Sequence, residues 1–108
     1  MHPTTTKDIA NDVEEMIFEI IGDHFGLPAP SLSGDTHIMN DCGADWFDQM
    51  ELIMTVEELF GIKISEESIS RVEKIGDIIV AIIKISPSKS HLETAKKAWR
   101  MASRRKHD

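Results

Sequence analysis

Cys42 and His37 are the two side chains whose types best fit nucleophilic chemistry. Cys42 is the single cysteine of the chain, and His37 precedes it by five residues. A thiol beside an imidazole is the arrangement of a catalytic cysteine and its base, and both residues can also ligate zinc. No third ligand lies at a matching spacing, and a loop of this length does not fix the two groups together. We therefore interpret Cys42 as a small buried hydrophobic residue and predict no metal site.

Paired carboxylates are the other candidates for chemistry. Glu14-Glu15, Glu57-Glu58 and Glu66-Glu67 are each adjacent in the sequence. Adjacent residues on a helix diverge by about 100°, so these pairs are poorly placed to act as general acid and base. A glycine-rich phosphate loop and a serine-histidine-acid arrangement are also missing from the sequence. The sequence thus predicts no catalytic residues and a protein that is not an enzyme.

The charge is distributed unevenly. Residues 1–85 hold 17 acidic and 5 basic side chains, a net of −12, whereas residues 86–108 hold 7 basic and 2 acidic, a net of +5. An acidic body repels nucleic acid and attracts basic protein patches. Composition and length fit one small domain. Because a long apolar segment and a basic, apolar start are both missing, we expect a cytoplasmic protein.

Hydrophobic periodicity predicts four helices in this acidic part. The first covers residues 8–25, and a long connection rich in proline, serine and glycine follows it. A second, acidic helix should start at Asp45, whose carboxylate caps the free amides with Asp48 completing the pair, and should end at Gly61. A short helix is predicted over residues 66–72 and a fourth over residues 75–85. The domain is expected to span residues 1–86.

Residues 87–108 are predicted to form a basic C-terminal extension. Leu92, Ala95, Trp99 and Ala102 recur on one helical face, which indicates an amphipathic basic helix. This helix could dock on the chain's own acidic helix through residues 88–106, which would be autoinhibitory, or it could remain a mobile tail. A membrane or nucleic-acid contact of the tail is the weaker alternative.

Two stretches of the chain form a specific pattern: Asp41-Cys42-Gly43-Ala44-Asp45-Trp46-Phe47-Asp48 and, further along, Glu57-Glu58-Leu59-Phe60-Gly61-Ile62-Lys63-Ile64. Together they resemble the centre of the acyl carrier protein family. The resemblance extends over roughly residues 8–85. It implies an all-α, four-helix bundle with a long first loop and a short third helix. In that family a serine at the start of the acidic helix carries 4′-phosphopantetheine, and here Trp46 occupies the corresponding position. An indole cannot be esterified, so the resemblance implies no attached cofactor at Trp46.

The resemblance also implies a partner-binding face, because the acidic helix is the family's recognition surface for basic patches on enzymes. It assigns electrostatic contacts to Asp45, Asp48, Glu51, Glu57 and Glu58 and apolar contacts to Met50 and Met54. Trp46 departs from the family's pattern and is added as a candidate partner contact because tryptophan is enriched at binding hot spots. Trp46 has two interpretations: it covers the groove between the acidic and the short helix by folding onto Met50 or Met54, or it is an exposed anchor. Phe47 is predicted to be a core residue.

The predicted function is that of a non-phosphopantetheinylated interaction or regulatory module, linked by resemblance to fatty-acid, polyketide or related acyl metabolism. Its expected partners are basic-surfaced proteins such as acyl-metabolism enzymes, and a monomer is expected. Two alternatives remain. One is a genuine acyl carrier that is modified at another serine, and the other is a structural subunit of a larger assembly.

Overall fold

Six α-helices and one 3₁₀ turn form the regular structure of this protein, as seen in a computed structural model that describes residues 6–85 and 88–106. Side chains are described for residues 9–85 and 88–102. The helices are α1 (Thr6–Phe25), α2 (Ile38–Cys42), α3 (Trp46–Phe60), α4 (Glu66–Ser70), α5 (Ile75–Lys84) and α6 (Lys89–Lys106). The all-α fold is confirmed, and α1, α3, α4 and α5 correspond to the four predicted helices.

The core is built mainly from isoleucines on the inner faces of α1, α3 and α5. In α1 the predicted apolar face is buried, including Val13, Ile17 and Ile21 at 0% exposure. The apolar faces of α3 and α5 that point toward α1 are also buried: Leu52, Ile53, Val56, Phe60, Ile75, Ile78 and Ile82. Branched aliphatic side chains hold few rotamers, so the contacts between these helices are well defined.

The long connection between α1 and α3 is more structured than the sequence indicated. It contains a 3₁₀ turn over Ala29–Ser31 and the five-residue α2, which the sequence analysis did not identify. His37 caps the start of helix α2: its Nδ1 accepts a hydrogen bond from the Asn40 amide at 3.1 Å, and Asp41 accepts one from the His37 amide at 2.7 Å. The imidazole is therefore used as a helix cap and is not paired with the Cys42 thiol.

Backbone hydrogen bonds attach this connection to the start of α5. The Ile38 amide donates to the Glu73 carbonyl at 2.9 Å, and the Gly76 amide donates to the Gly34 carbonyl at 2.9 Å. The Ile75 amide donates to Thr36 at 3.0 Å, and an isolated antiparallel bridge joins His37 to Lys74. The connection thus lies across the bundle and fixes one side of the space beside α3.

The basic C-terminal helix α6 packs on the bundle as the fourth long helix. Leu92 is 2% exposed and Ala95 is fully buried, both within the same core cluster as α1 and α3. Lys96 lies 3.3 Å from the carboxylate of Asp12 on α1. The predicted boundary between the domain and its extension falls at residues 86 and 87, which lie outside the described residues. Among the described helices, none is both long and apolar enough to cross a membrane.

Candidate interaction surface on helix α3

The first turn of α3 is held by a capping box that the sequence predicted. The Asp45 carboxylate accepts a hydrogen bond from the Asp48 amide at 2.8 Å, and Asp48 accepts one from the Asp45 amide at 3.2 Å. Two of the free amides at the helix start are thereby satisfied, and two negative charges lie at the positive end of the helix dipole. The preceding turn ends in Gly43, whose φ of 73° is left-handed and favours glycine.

This capped start presents two aromatic side chains to solvent. Trp46 is 66% exposed and Phe47 is 62% exposed. The prediction that Phe47 belongs to the core is wrong, because the core face of α3 is set by Leu52, Ile53 and Val56 and Phe47 lies on the opposite side of the helix. Large exposed aromatic residues are uncommon on a soluble surface and mark candidate contact sites.

The exposed face of α3 combines apolar and acidic side chains at helical spacing. Phe47, Glu51, Met54 and Glu58 follow one another at intervals of four, three and four residues, and all four are exposed. We call these four residues the α3 strip. The helix contains no lysine or arginine, so its charge is uniformly negative. Such a surface suits a partner that offers basic groups around an apolar pocket.

The remaining residues assigned to partner contact differ in their accessibility. Asp45 is exposed, whereas Asp48, Met50 and Glu57 are half-buried. Glu57 has an internal role, since its Oε2 accepts a hydrogen bond from the Ile64 amide at 2.8 Å and holds the turn that follows α3. That turn begins at Gly61, which has a left-handed φ of 65° and ends the helix as predicted.

A groove of about 520 Å³ lies beside the strip, between α3, α4 and the start of α2. Trp46, Met50, Ile69, Val72 and Met39 form its apolar walls. Trp46 therefore forms one wall of this groove while most of its ring remains in solvent, so it does not close the groove completely. The two interpretations of Trp46 are compatible in this geometry.

Gln49 is the buried polar residue of this groove and was not identified from the sequence. Its side chain is 5% exposed, and its Nε2 donates a hydrogen bond to the Val72 carbonyl at 3.2 Å. Its Oε1 is buried without a hydrogen-bond partner among the described residues. A polar residue on the core-facing register of α3, three positions before Leu52, was the available signal. Gln49 fixes α3 to the segment that follows α4.

Cys42 was predicted to be buried; it is only half-buried at the end of α2, where it packs against the hydrophobic core. Burial raises the pKa of its thiol, and the negative charge of Asp41 raises that pKa further. A raised pKa lowers the thiolate fraction at neutral pH and hence the nucleophilicity of the residue. Among the residues whose side chains are described, no three His, Cys, Asp or Glu are grouped to hold a metal ion.

Comparison with known proteins identifies the family. Residues 15–82 match the family model described as "Phosphopantetheine attachment site". The chain belongs to the acyl carrier protein family. It is 42% identical over 72 residues to an acyl carrier protein of Solidesulfovibrio magneticus, and the matched region covers 67% of this chain and 92% of that protein. It is 32% identical over 75 residues to that of Akkermansia muciniphila, over 69% of this chain and 94% of the relative.

The fold comparison agrees with this family. A solved structure of an acyl carrier protein from Enterococcus faecalis superposes with a TM-score of 0.61 at 29% sequence identity, over 73% of this chain and 98% of that one. Members of the acyl carrier protein family are carriers of acyl groups and not enzymes. Residues 83–108, which include α6, lie beyond the segment that the family model matches.

The first turn of α3 does not fit covalent attachment of the family's cofactor. Esterification with phosphopantetheine requires a hydroxyl, and residues 45–49 offer carboxylates, an indole, a phenyl ring and an amide. The one hydroxyl of α3 belongs to Thr55, which lies more than two turns beyond Trp46. This hydroxyl donates a hydrogen bond to the Glu51 carbonyl at 3.0 Å.

Proposed function

We propose that this protein is a carrier-like interaction or regulatory module that is not phosphopantetheinylated and that binds basic-surfaced enzymes of acyl metabolism through α3. The main observation in support of this proposal is the capped first turn of α3. It offers no hydroxyl, and its Trp46 and Phe47 side chains are 66% and 62% exposed. Membership of the carrier family supports the link to acyl metabolism. The shape and charge of a carrier surface are retained, and the tethered thiol is replaced by aromatic contact area.

The α3 strip supports this mode of binding on energetic grounds. Truncation of an aromatic anchor in a protein interface typically costs more than 2 kcal/mol when it is a hot spot, whereas acids at the rim mainly speed and orient the encounter. Phe47 and Met54 supply apolar area, and Glu51 and Glu58 supply the charges around it. We assign the partner contacts primarily to these exposed residues together with Asp45 and Trp46.

The alternative of a genuine carrier modified at another serine remains open. Ser31 donates its hydroxyl to the Pro28 carbonyl, Ser65 caps α4, and Ser70 donates to the Glu67 carbonyl. Ser33 accepts a hydrogen bond from the Asp35 amide at 3.2 Å. These serines and Ser68 all lie outside the start of α3, so modification would need a transferase with a different binding geometry, which favours the unmodified protein. A role as a structural subunit of a larger assembly would use the same exposed strip.

Intact-mass spectrometry tests whether the protein carries phosphopantetheine. The purified chain is incubated with coenzyme A and a broad-specificity phosphopantetheinyl transferase, with an ordinary acyl carrier protein in the same reaction as a positive control. We expect the wild type to keep its mass and Trp46→Ser to gain one phosphopantetheine group. A mass gain in the wild type would overturn the proposal. A W46S variant that also stays unmodified would contradict the assignment of Trp46 to the attachment position.

Charge reversal tests the binding surface. Glu51→Lys and Glu58→Lys place positive charge on the strip, and each should weaken binding to a carrier-binding synthase or acyltransferase by about tenfold and flatten its dependence on ionic strength. Glu14→Lys makes the same charge change on an exposed residue of α1 and is the matched control. Binding is measured by calorimetry at several salt concentrations. Equal affinities for all three variants would exclude the strip as the contact.

A further inference from the structure

Helices α3 and α6 lie side by side and run in opposite directions. His91, in the first turn of α6, is next to Gly61 at the end of α3. Further along α6, Ala98 and Ala102 share a cavity with Thr55 and Leu59 of α3. Increasing residue number along α6 therefore corresponds to decreasing number along α3. The two helices form a continuous outer face of the molecule.

This outer face carries one exposed methionine on each helix, each beside the cavity that the two helices share. Met54 is 55% exposed and Met101 is 53% exposed. Each is the sequence neighbour of a residue that lines the shared cavity, namely Thr55 and Ala102. Two large apolar side chains thus remain in water on adjacent helices, and Phe47 extends the same exposed face along α3.

The charges on this face are arranged in the same way. Glu58 follows Met54 by four residues, and Lys97 precedes Met101 by four residues, so each charge lies one turn from its methionine. Because the helices are antiparallel, both steps point in the same direction along the face. Glu58 and Lys97 are both exposed. We call Met54, Glu58, Lys97 and Met101 the α3/α6 face.

We infer that the α3/α6 face binds a second copy of this chain in a symmetric dimer. A two-fold axis that runs between the two helices, parallel to them, places α3 of one copy on α6 of the other. Met54 then meets Met101 of the second copy, and Glu58 meets Lys97 of the second copy. Each contact occurs twice, as in the self-complementary interfaces of most dimers. This inference departs from the monomer predicted from the sequence.

Charge complementarity favours a second copy over an extended polyanion. The net charge of −12 on residues 1–85 repels a nucleic acid or an anionic membrane that approaches α6. A second copy, with its net charge of −7, is also repelled at long range, but salt screens that repulsion, and at contact the second copy brings a local acid to Lys97 and a local base to Glu58. Burial of two methionine pairs adds apolar contact area with adaptable side chains.

The dimer would have a functional consequence that can be measured separately from it. It covers Met54 and Glu58, which belong to the α3 strip, so self-association and enzyme binding would compete. The dimer itself rests only on the geometry of α3 and α6. A failure of enzyme binding would leave self-association unchanged, and the two inferences can be overturned independently.

Sedimentation equilibrium of the full chain at about 0.15 M ionic strength, where repulsion between the two net charges is screened, tests the inference over a series of protein concentrations. We expect a monomer-dimer equilibrium for the wild type. Glu58→Lys and Lys97→Glu should each weaken it by about tenfold or more, because like charges then face each other twice. An equimolar mixture of the two variants should regain association, since both new pairs between unlike copies are attractive. Glu14→Lys should behave as the wild type.

Several outcomes would overturn the inference. One is a wild type that stays monomeric at every accessible concentration. Another is dimerisation that neither E58K nor K97E weakens, which would exclude this face. A mixture of the two variants that associates no more strongly than each variant alone would exclude the pairing of Glu58 with Lys97. Circular dichroism of each variant establishes that the helical fold is retained.

Discussion

At the residue scale, Asp45 determines where α3 begins and hence where Trp46 and Phe47 are presented. Asp45→Ala removes the acceptor of the Asp48 amide and should lower the free energy of unfolding by about 1 kcal/mol. Asp45→Asn retains a capping oxygen and should remain close to the wild type. Urea denaturation measures both. An asparagine variant as unstable as the alanine variant would show that charge, and not the cap, is the contribution of Asp45.

The chemistry of Cys42 also belongs to this scale. Burial and the charge of Asp41 raise the pKa of its thiol, so the thiolate should form at higher pH than in an unstructured peptide. Alkylation by iodoacetamide at neutral pH should therefore be slower in the folded protein than in a peptide of residues 38–46. The pH profile of the rate should be displaced toward alkaline pH. Faster labelling of the folded protein would support a reactive cysteine.

The start of α3 shows what residue types reveal and what they do not. The capping pair was predictable, because Asp45 and Asp48 have the identity and spacing that free helix amides require. The exposure of Phe47 was not predicted, because apolar type was given more weight than register. Its spacing from Glu51 and Glu58 places it on the acidic side of the helix. Whether Trp46 contacts a groove depended on α4, which no local pattern could position.

At the element scale, α6 owes its position to a few apolar side chains. Leu92→Ala removes a side chain that is 2% exposed in the cluster with α1 and α3, and it should cost about 2–5 kcal/mol of unfolding free energy. Thr94→Ala is the control on the same helix, because Thr94 is exposed and its truncation should not destabilise the fold. Thermal and urea denaturation measure both variants. A small effect of Leu92→Ala would mean that α6 is not stably docked in solution.

The electrostatic attachment of α6 is weaker than its apolar attachment. The Lys96 and Asp12 side chains are 32% and 42% exposed, and such pairs contribute at most about 1 kcal/mol. The amphipathic pattern of α6 was readable from the sequence, but its docking site was not. The pattern specifies which face is buried and leaves open which groove receives it. The docked helix contacts the Thr55 and Leu59 side of α3 and leaves the α3 strip exposed.

Helix α2 was missed for a related reason. Its five residues make less than two turns, and a segment that short cannot establish a helical period. Its capping contacts come from His37 and Asp41, whose residue types also fit ligand and surface-charge roles and so do not by themselves indicate a helix cap. The larger helices α1, α3 and α5 were predictable because each repeats its apolar positions over several turns. Boundaries agreed best where Asp45, Gly61 and other caps marked them.

At the scale of the whole molecule, the sequence divides into a carrier bundle and an added helix that completes one side of it. The relatives from S. magneticus and A. muciniphila match about two thirds of this chain and more than nine tenths of their own length. The net charge of −12 on residues 1–85 and +5 on residues 86–108 follows the same division. The fold class followed from resemblance and periodicity, whereas the mixed surface of α3 and α6 required coordinates.

The backbone bonds between the first connection and the start of α5 constrain the order of folding. Gly34, Thr36 and Ile38 pair with residues that lie beyond the whole of α3 and α4 in the chain. Closing such a large loop costs conformational entropy. The new hydrogen bonds can offset that cost only when the intervening helices are already compact. We expect these hydrogen bonds between the first connection and α5 to form late, after α3 has docked on α1. The groove beside Trp46 would then acquire its second wall in one of the last folding steps.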